Sequence, residues 1–331
     1  MLLHALPLLH ALLPLLHALL PLLPALEALL PLQAVLLDAS LNKQHKAAIA
    51  VLGNFGRGAV DTADVLLQSK DANVRINGIR VLGASQTGSA FGGILNGLKD
   101  KDAGVRLAAL QVFAYYRNGN SVSDLIPFLS DADPIVRAAA ATALGNQATF
   151  EAVTPVAALV YREKDPGVRN AGILALGNLD NKTVTALLLT MLSNEDKYSR
   201  INSALALGKV GDFRAIEPLY AVLKRDYPDF QSPNAKGEYP SVRGAAAEAL
   251  GMQKVDKAYP LIVAMLHNPD YTYVRVSAAN ALASLGNKDA IPELIAALDD
   301  PYSNVRHAAV AALKTLTGDD FGEDQAAWKK R

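Results

Sequence analysis

The sequence predicts an all-α chain, a right-handed α-solenoid (α-α superhelix) of about nine stacked helix pairs. Three observations predict it. The composition is 51 % hydrophobic but only 6 % aromatic, and Ala and Leu outweigh the β-branched and aromatic residues that strands favour. One phrase, "DPGVRNAGILALGN" at 165–178, recurs loosely reworded, anchored on Arg75, Arg106, Arg137, Arg169, Arg200, Arg243, Arg275 and Arg306. These anchors lie 31, 31, 32, 31, 43, 32 and 31 residues apart, and a steady period of that length marks stacked supersecondary units. A catalytic motif occurs once; a repeated phrase is architecture.

Residues 1–30 carry no acidic or basic side chain before Glu27 and repeat "LLHALLP" at 8–14 and 15–21. Such a run is long enough for a membrane span or signal region. The lack of Lys or Arg at its start and the prolines at 7, 14, 21 and 24 argue against both. An apolar leader that packs as a cap is the favoured reading, with export or anchoring left open. His4, His10 and His17 are separated by prolines and lie about two turns apart, whereas metal ligands on one helix are better placed one turn apart.

The repeat occupies residues 31–318. Its first unit is degenerate: Pro31 precedes His45 by 14 residues, as Pro292 precedes Arg306, and Gly53 follows His45 by 8, as Gly177 follows Arg169. In each phrase the residue before the Arg, and those three, four and seven after it, are apolar or small. In the quoted copy these are Val168, Gly172, Ile173 and Leu176, one stripe of a helix. The preceding Asp suits an N-cap, with Pro at the first helical position in Asp133-Pro134 and Asp165-Pro166. A second apolar helix lies upstream of each, as in "IPFLSD", "TPVAALVYREKD", "IEPLYAVLKRD" and "IPELIAALDD". Neither helix buries its apolar face alone, so the pairs must stack.

Two segments break the period. "FAYYRNGN" at 113–120 replaces the usual "LG" ending and brings Tyr115, Tyr116 and Arg117, residue types enriched at binding hot spots. They serve equally well to fill space beside the glycines of "FGGILNG". The longest gap inserts the loop 224–241, "KRDYPDFQSPNAKGEYPS", with Tyr227, Phe230 and Tyr239. Insertions in solenoids project from one face, often the binding face, although these aromatics can also pack back on the neighbouring helices. The tail 319–331 holds Phe321 and Trp328, suitable covers for the last apolar face.

The D-x-x-V-R-x-x-A-x-x-A-L-G phrase at this period resembles the HEAT-like repeats of the short bacterial type, first recognised in phycobilin lyases. The resemblance implies an Asp–Arg ladder between adjacent units, matched by Asp71, Asp102, Asp133, Asp165 and Asp196 with their arginines. Asp270 and Asp300, five and six residues before Arg275 and Arg306, depart from the pattern, so regular pairing is not expected there. Such a ladder is structural, because the same two residues in every unit cannot mark a unique reacting site.

Lys plus Arg number 32 against 32 Asp plus Glu, which argues against nucleic acid, whose non-specific binding rests on excess positive charge. The absence of cysteine excludes disulfides and thiolate chemistry in this chain. No phosphate loop, H-E-x-x-H or G-x-S-x-G motif occurs, and none of the 6 His precedes a Glu. That excludes the His-Glu iron sites of deoxyhypusine hydroxylases, a HEAT-repeat enzyme family. The resemblance implies that the second helices line a concave surface. Five residues after each anchor this surface would present Arg80, Gln111, Thr142, Leu174, Leu205, Glu248, Asn280 and Ala311, a mixed row better suited to a protein or peptide than to phosphates.

The expected function is therefore a non-enzymatic protein-interaction scaffold, monomeric, with no catalytic residue, cofactor or metal. Its protein or peptide partner would meet Arg80, Gln111, Tyr115, Tyr116, Arg117, Tyr227, Phe230 and Tyr239. The alternatives are a lyase-type HEAT-repeat enzyme or subunit acting on a cofactor-bearing protein, and an assembly factor anchored through residues 1–30, the one route to a membrane. A cytoplasmic chain is favoured over an exported one.

Overall fold

The computed structural model describes residues 32, 34–36, 42–116, 121–224, 241–269 and 271–330. His4, His10 and His17 of the leader, Arg117, and Tyr227, Phe230 and Tyr239 of the inserted loop lie outside them. Among the described residues every regular element is helical, and the chain divides into two compact units, Met1–Tyr116 and Arg117–Arg331. Each unit is an all-α stack of helix pairs.

The first unit contains α1 (Asn42–Leu52), α2 (Arg57–Leu67), α3 (Ala72–Ser85), α4 (Phe91–Leu98) and α5 (Ala103–Phe113). Here α3 packs against α1, α2 and α5, and α4 packs on α5. The "YY" segment that follows α5 leaves Phe113 fully buried, edge-on to Phe91 with ring centroids 5.6 Å apart.

The second unit begins with α6 (Val122–Leu125), which runs on as a 3-10 turn over Ile126–Ser130. The expected "IPFLSD" helix is therefore tightened, with Pro127 in its first turn. Then come α7 (Pro134–Gln147), α8 (Val153–Arg162), α9 (Pro166–Asn178), α10 (Thr185–Met191), α11 (Lys197–Val210) and α12 (Ile216–Lys224). After the inserted loop follow α13 (Val242–Met252), α14 (Tyr259–Leu266), α15 (Thr272–Leu285), α16 (Ile291–Ala296), α17 (Ser303–Thr317) and α18 (Gln325–Lys330). The second helices α7, α9, α11, α13, α15 and α17 pack side by side in sequence, and the first helices α8, α10, α12, α14 and α16 each lie on the second helix that follows.

The local signals explain this order. Asp71, Asp102, Asp133, Asp165 and Asp196 each accept a backbone N–H from the first turn of the helix they precede, caps of about 1 kcal/mol apiece. Ser241 caps α13 in the same way, whereas Tyr271 and Tyr302 enter α15 and α17 without a side-chain cap.

A second helix is covered by its own first helix and by a second helix on either side. That is why so many of its residues are Ala, Gly and Leu at zero exposure. In the second unit the Gly eight residues after an anchor meets the Ala six residues after the next. A Cβ placed on Gly145 would stand 2.6 Å from Ala175 Cα, one on Gly177 2.9 Å from Ala206 Cα, one on Gly208 2.7 Å from Ala249 Cα, and one on Gly251 2.5 Å from Ala281 O. The "A-L-G" ending is thus a seam where helices touch backbone to backbone, and it locks adjacent units in register.

The tail docks on the second unit. Trp328 is buried, stacks edge-on to Phe321 at 4.9 Å and donates from Nε1 to the Gly322 carbonyl, while Gln325 Nε2 donates to Ile295 O of α16.

Candidate functional site

The arginine anchors are the most repeated polar groups, and their geometry is structural. Arg75 donates from Nε and Nη2 to the two oxygens of Asp100 at 2.7 and 2.9 Å, Arg137 to Glu163 at 2.8 and 3.1 Å, and Arg275 to Asp300 at 2.6 and 3.1 Å. The same guanidinium closes the end of the preceding helix: Nη1 of Arg75 donates to the Ser69 and Lys70 carbonyls, and that of Arg137 to Asp131 and Ala132. Arg306 takes Glu323 of the tail at 2.8 Å. The Arg75 guanidinium holds the Asp100 carboxyl below the usual carboxylate range, and Arg137 does the same to Glu163.

This corrects the expected ladder twice. The partner of Arg75, Arg137 and Arg275 is the acid six residues before the next anchor, and not the N-cap residue two positions further on. The earlier acid also accepts a backbone N–H, from the residue two positions further on, and in addition takes the guanidinium of the preceding unit on both its oxygens. By this rule Asp300 is in register, and Arg275 pairs with it where regular pairing was not expected, whereas Arg243 has Pro269 at that position. Arg169, for which this position is Asn194, instead donates from Nε to Ser199 Oγ at 3.2 Å.

The outward rows of the second helices carry the side chains that the repeat itself does not fix. Arg80 and Gln111 lie exposed at equivalent positions on the neighbouring helices α3 and α5. Tyr115, just past α5, is 87 % exposed, while Tyr116 is half-buried and its hydroxyl pKa is pushed up by burial. Arg117, Tyr227, Phe230 and Tyr239 fall outside the described residues.

In the second unit the corresponding row runs Thr142, Leu174, Leu205, Glu248, Asn280, Ala311, each half-buried or exposed. Glu248 stands out. Burial pushes its carboxyl above the usual range, with Ser277 and Asn280 of α15 pulling it partly back. The one signal for it in the sequence is an acid in the otherwise small and apolar "GAAAEALG". Among the described residues no helix is long and apolar enough to cross a membrane, and no three His, Asp or Glu side chains gather to hold a metal ion.

A solenoid of paired helices with these caps and anchors defines a class, and the chain belongs to it: the family model of HEAT repeats matches residues 93–177, 158–232 and 234–314. Particular relatives sharpen this. A phycocyanobilin lyase subunit alpha of Picosynechococcus sp. is 41 % identical over 155 residues, 42 % of this chain and 53 % of that protein. Its namesake from Nostoc sp. is 30 % identical over 162 residues, 44 % of this chain and 54 % of that protein. The chain thus spans about half the length of these curated relatives. In fold alone, it is similar to a chain in a solved structure of Kap95p with RanGDP, with a TM-score of 0.53 and 12 % identity over 82 % of this chain and 43 % of that one.

The relatives overturn the expectation of a non-enzymatic protein. Proteins named as lyase subunits stand among the similar sequences, and the weight moves from a bare scaffold to the lyase-type alternative. Repeats specify a shape, and the chemistry sits in surface residues that differ from one HEAT protein to the next.

Proposed function

We propose that this chain is a lyase-type HEAT-repeat subunit that handles an open-chain tetrapyrrole together with a protein partner. The observation that carries this reading is the 41 % identity over 155 residues to a phycocyanobilin lyase subunit. The word subunit in that name supports a protein partner. The exposed Arg80, Gln111 and Tyr115 of the first unit are the proposed contact residues, since Arg and Tyr combine large contact area with directed hydrogen bonds. Tyr116, Arg117, Tyr227, Phe230 and Tyr239 remain candidate contact residues. Because the chain contains no cysteine, it offers no thiol for a permanent bond to the pigment. It would hold the pigment by contact and release it.

The test is co-expression of the chain with phycocyanobilin-producing enzymes and an apo-phycobiliprotein acceptor. Pigment should accumulate covalently on the acceptor faster with the chain than without it, and should leave this chain in denaturing gels. Folded chain that neither retains pigment nor alters its attachment to the acceptor would refute the proposal.

A further inference from the structure

The outward faces of α11, α13 and α15 build a patch whose chemistry the repeat itself does not require. On α11, Leu205 and Lys209 lie one turn apart on the same face; on α13, Glu248 and Met252 do so; α15 adds Asn280 at the equivalent position. The glycine seam places these positions side by side, with helix axes roughly 8–10 Å apart. Met252 lies over the end of α11, where its Sδ would be 3.2 Å from a Cβ on Gly208. Met252 is 40 % exposed, and Lys209 reaches sideways to Asn178 Oδ1 at 2.9 Å.

Glu248 is the anomaly within the patch. Among the described residues no Lys, Arg or His nitrogen stands within 4.0 Å of it. The polar groups that reach it are Ser277 and Asn280 from α15, and Met252 lies one turn further along its own helix. Burying a carboxylate costs stability, and here hydrogen bonds from Ser277 and Asn280 offset only part of that cost, with no ion pair within the described chain to add to them. A half-buried acid at an outward position, unpaired by a cation, is a candidate for contact with a ligand.

Resting on the lyase-subunit reading, we propose that this patch is the pigment seat. An open-chain tetrapyrrole presents N–H donors along its inner edge, apolar ring faces, and propionate carboxylates on its outer edge. Glu248 accepts the N–H groups, Leu205 and Met252 pack against the rings, and Lys209 takes a propionate. Binding is by contact alone, with no bond made to this chain.

The experiment is a titration of the full chain with phycocyanobilin, read by absorbance and fluorescence. The unaltered protein is compared with Glu248→Gln, Lys209→Ala, Met252→Ala and the control Thr142→Ala, on the same row but two helices from Leu205. Circular dichroism checks that each folds. Glu248→Gln should weaken binding about tenfold and shift the visible band, since it removes a charged acceptor. Lys209→Ala and Met252→Ala should each weaken it about threefold, and Thr142→Ala should bind as the unaltered chain does. If the three patch variants bind with unaltered affinity and spectrum, the seat lies elsewhere, although the bound pigment still supports the lyase-subunit reading. If the unaltered chain binds no pigment, alone or with the acceptor present, both ideas fail.

Discussion

Replacing Gly145 by Ala sets two physical effects against each other. Gly145 lies inside α7, where Ala is the better helix former by about 1 kcal/mol, so propensity alone predicts a more stable protein. The seam predicts the reverse. The new Cβ would stand 2.6 Å from Ala175 Cα and 2.7 Å from its Cβ, whereas carbon atoms rest at roughly 3.5–4.0 Å. Helices α7 and α9 would have to part by about 1 Å, and because the obstruction is backbone, no rotamer change relieves it. Overpacking of this kind costs about 1–3 kcal/mol, leaving a net loss of up to about 2 kcal/mol and a fall in melting temperature of up to about 8 °C for a unit of this size.

The control is Gly92→Ala on α4, where a Cβ meets nothing within 4 Å and a gain of up to about 1 kcal/mol is expected. Urea unfolding followed at 222 nm, with hydrogen exchange to locate the loosened helices, separates the cases. A Gly145→Ala protein as stable as the Gly92→Ala protein would refute the close-packed seam. Adding Ala175→Gly should not restore stability, since the Cα itself is in the way.

Three further outcomes follow from named contacts. Ala148 ends α7 in the left-handed region at φ 53° with its side chain exposed, so Ala148→Gly should stabilise by about 1 kcal/mol in thermal unfolding. Ser203 is fully buried, its Oγ without a hydrogen-bond partner, at a position where the other units have Ala or Gly; Ser203→Ala should stabilise by about 1 kcal/mol and raise the unfolding midpoint accordingly, and a lowered midpoint would mean the hydroxyl is satisfied. Arg137 depresses the Glu163 carboxyl, so the pair's contribution is present above the unfolded glutamate value of about 4.3 and is lost as pH falls through the folded value. Glu163→Gln should therefore lose about 1–2 kcal/mol at pH 7 and fall less steeply on acidification than the unaltered protein; parallel pH curves would contradict the pairing.

Much of this was legible in the order of residues because it is local. Helix caps such as Asp133 and Asp165, the apolar stripe around Val168, Ile173 and Leu176, and the outward row through Leu205 and Asn280 all follow from a period of 3.6 residues per turn and from the needs of unpaired N–H groups. What residues do across helices was not legible. The sequence shows an Asp before every early anchor, but only packing reveals that Asp100, Glu163 and Asp300 are the acids that reach a guanidinium of the preceding unit. The same holds for Gly145 against Ala175, a contact between residues 30 apart in the chain, and for Glu248, an ordinary surface acid on paper whose half-burial depends on α15 lying beside it. Periodicity acts through neighbours along one helix. Pairing, close approach and desolvation are set by the distances between helices, which only the folded stack defines.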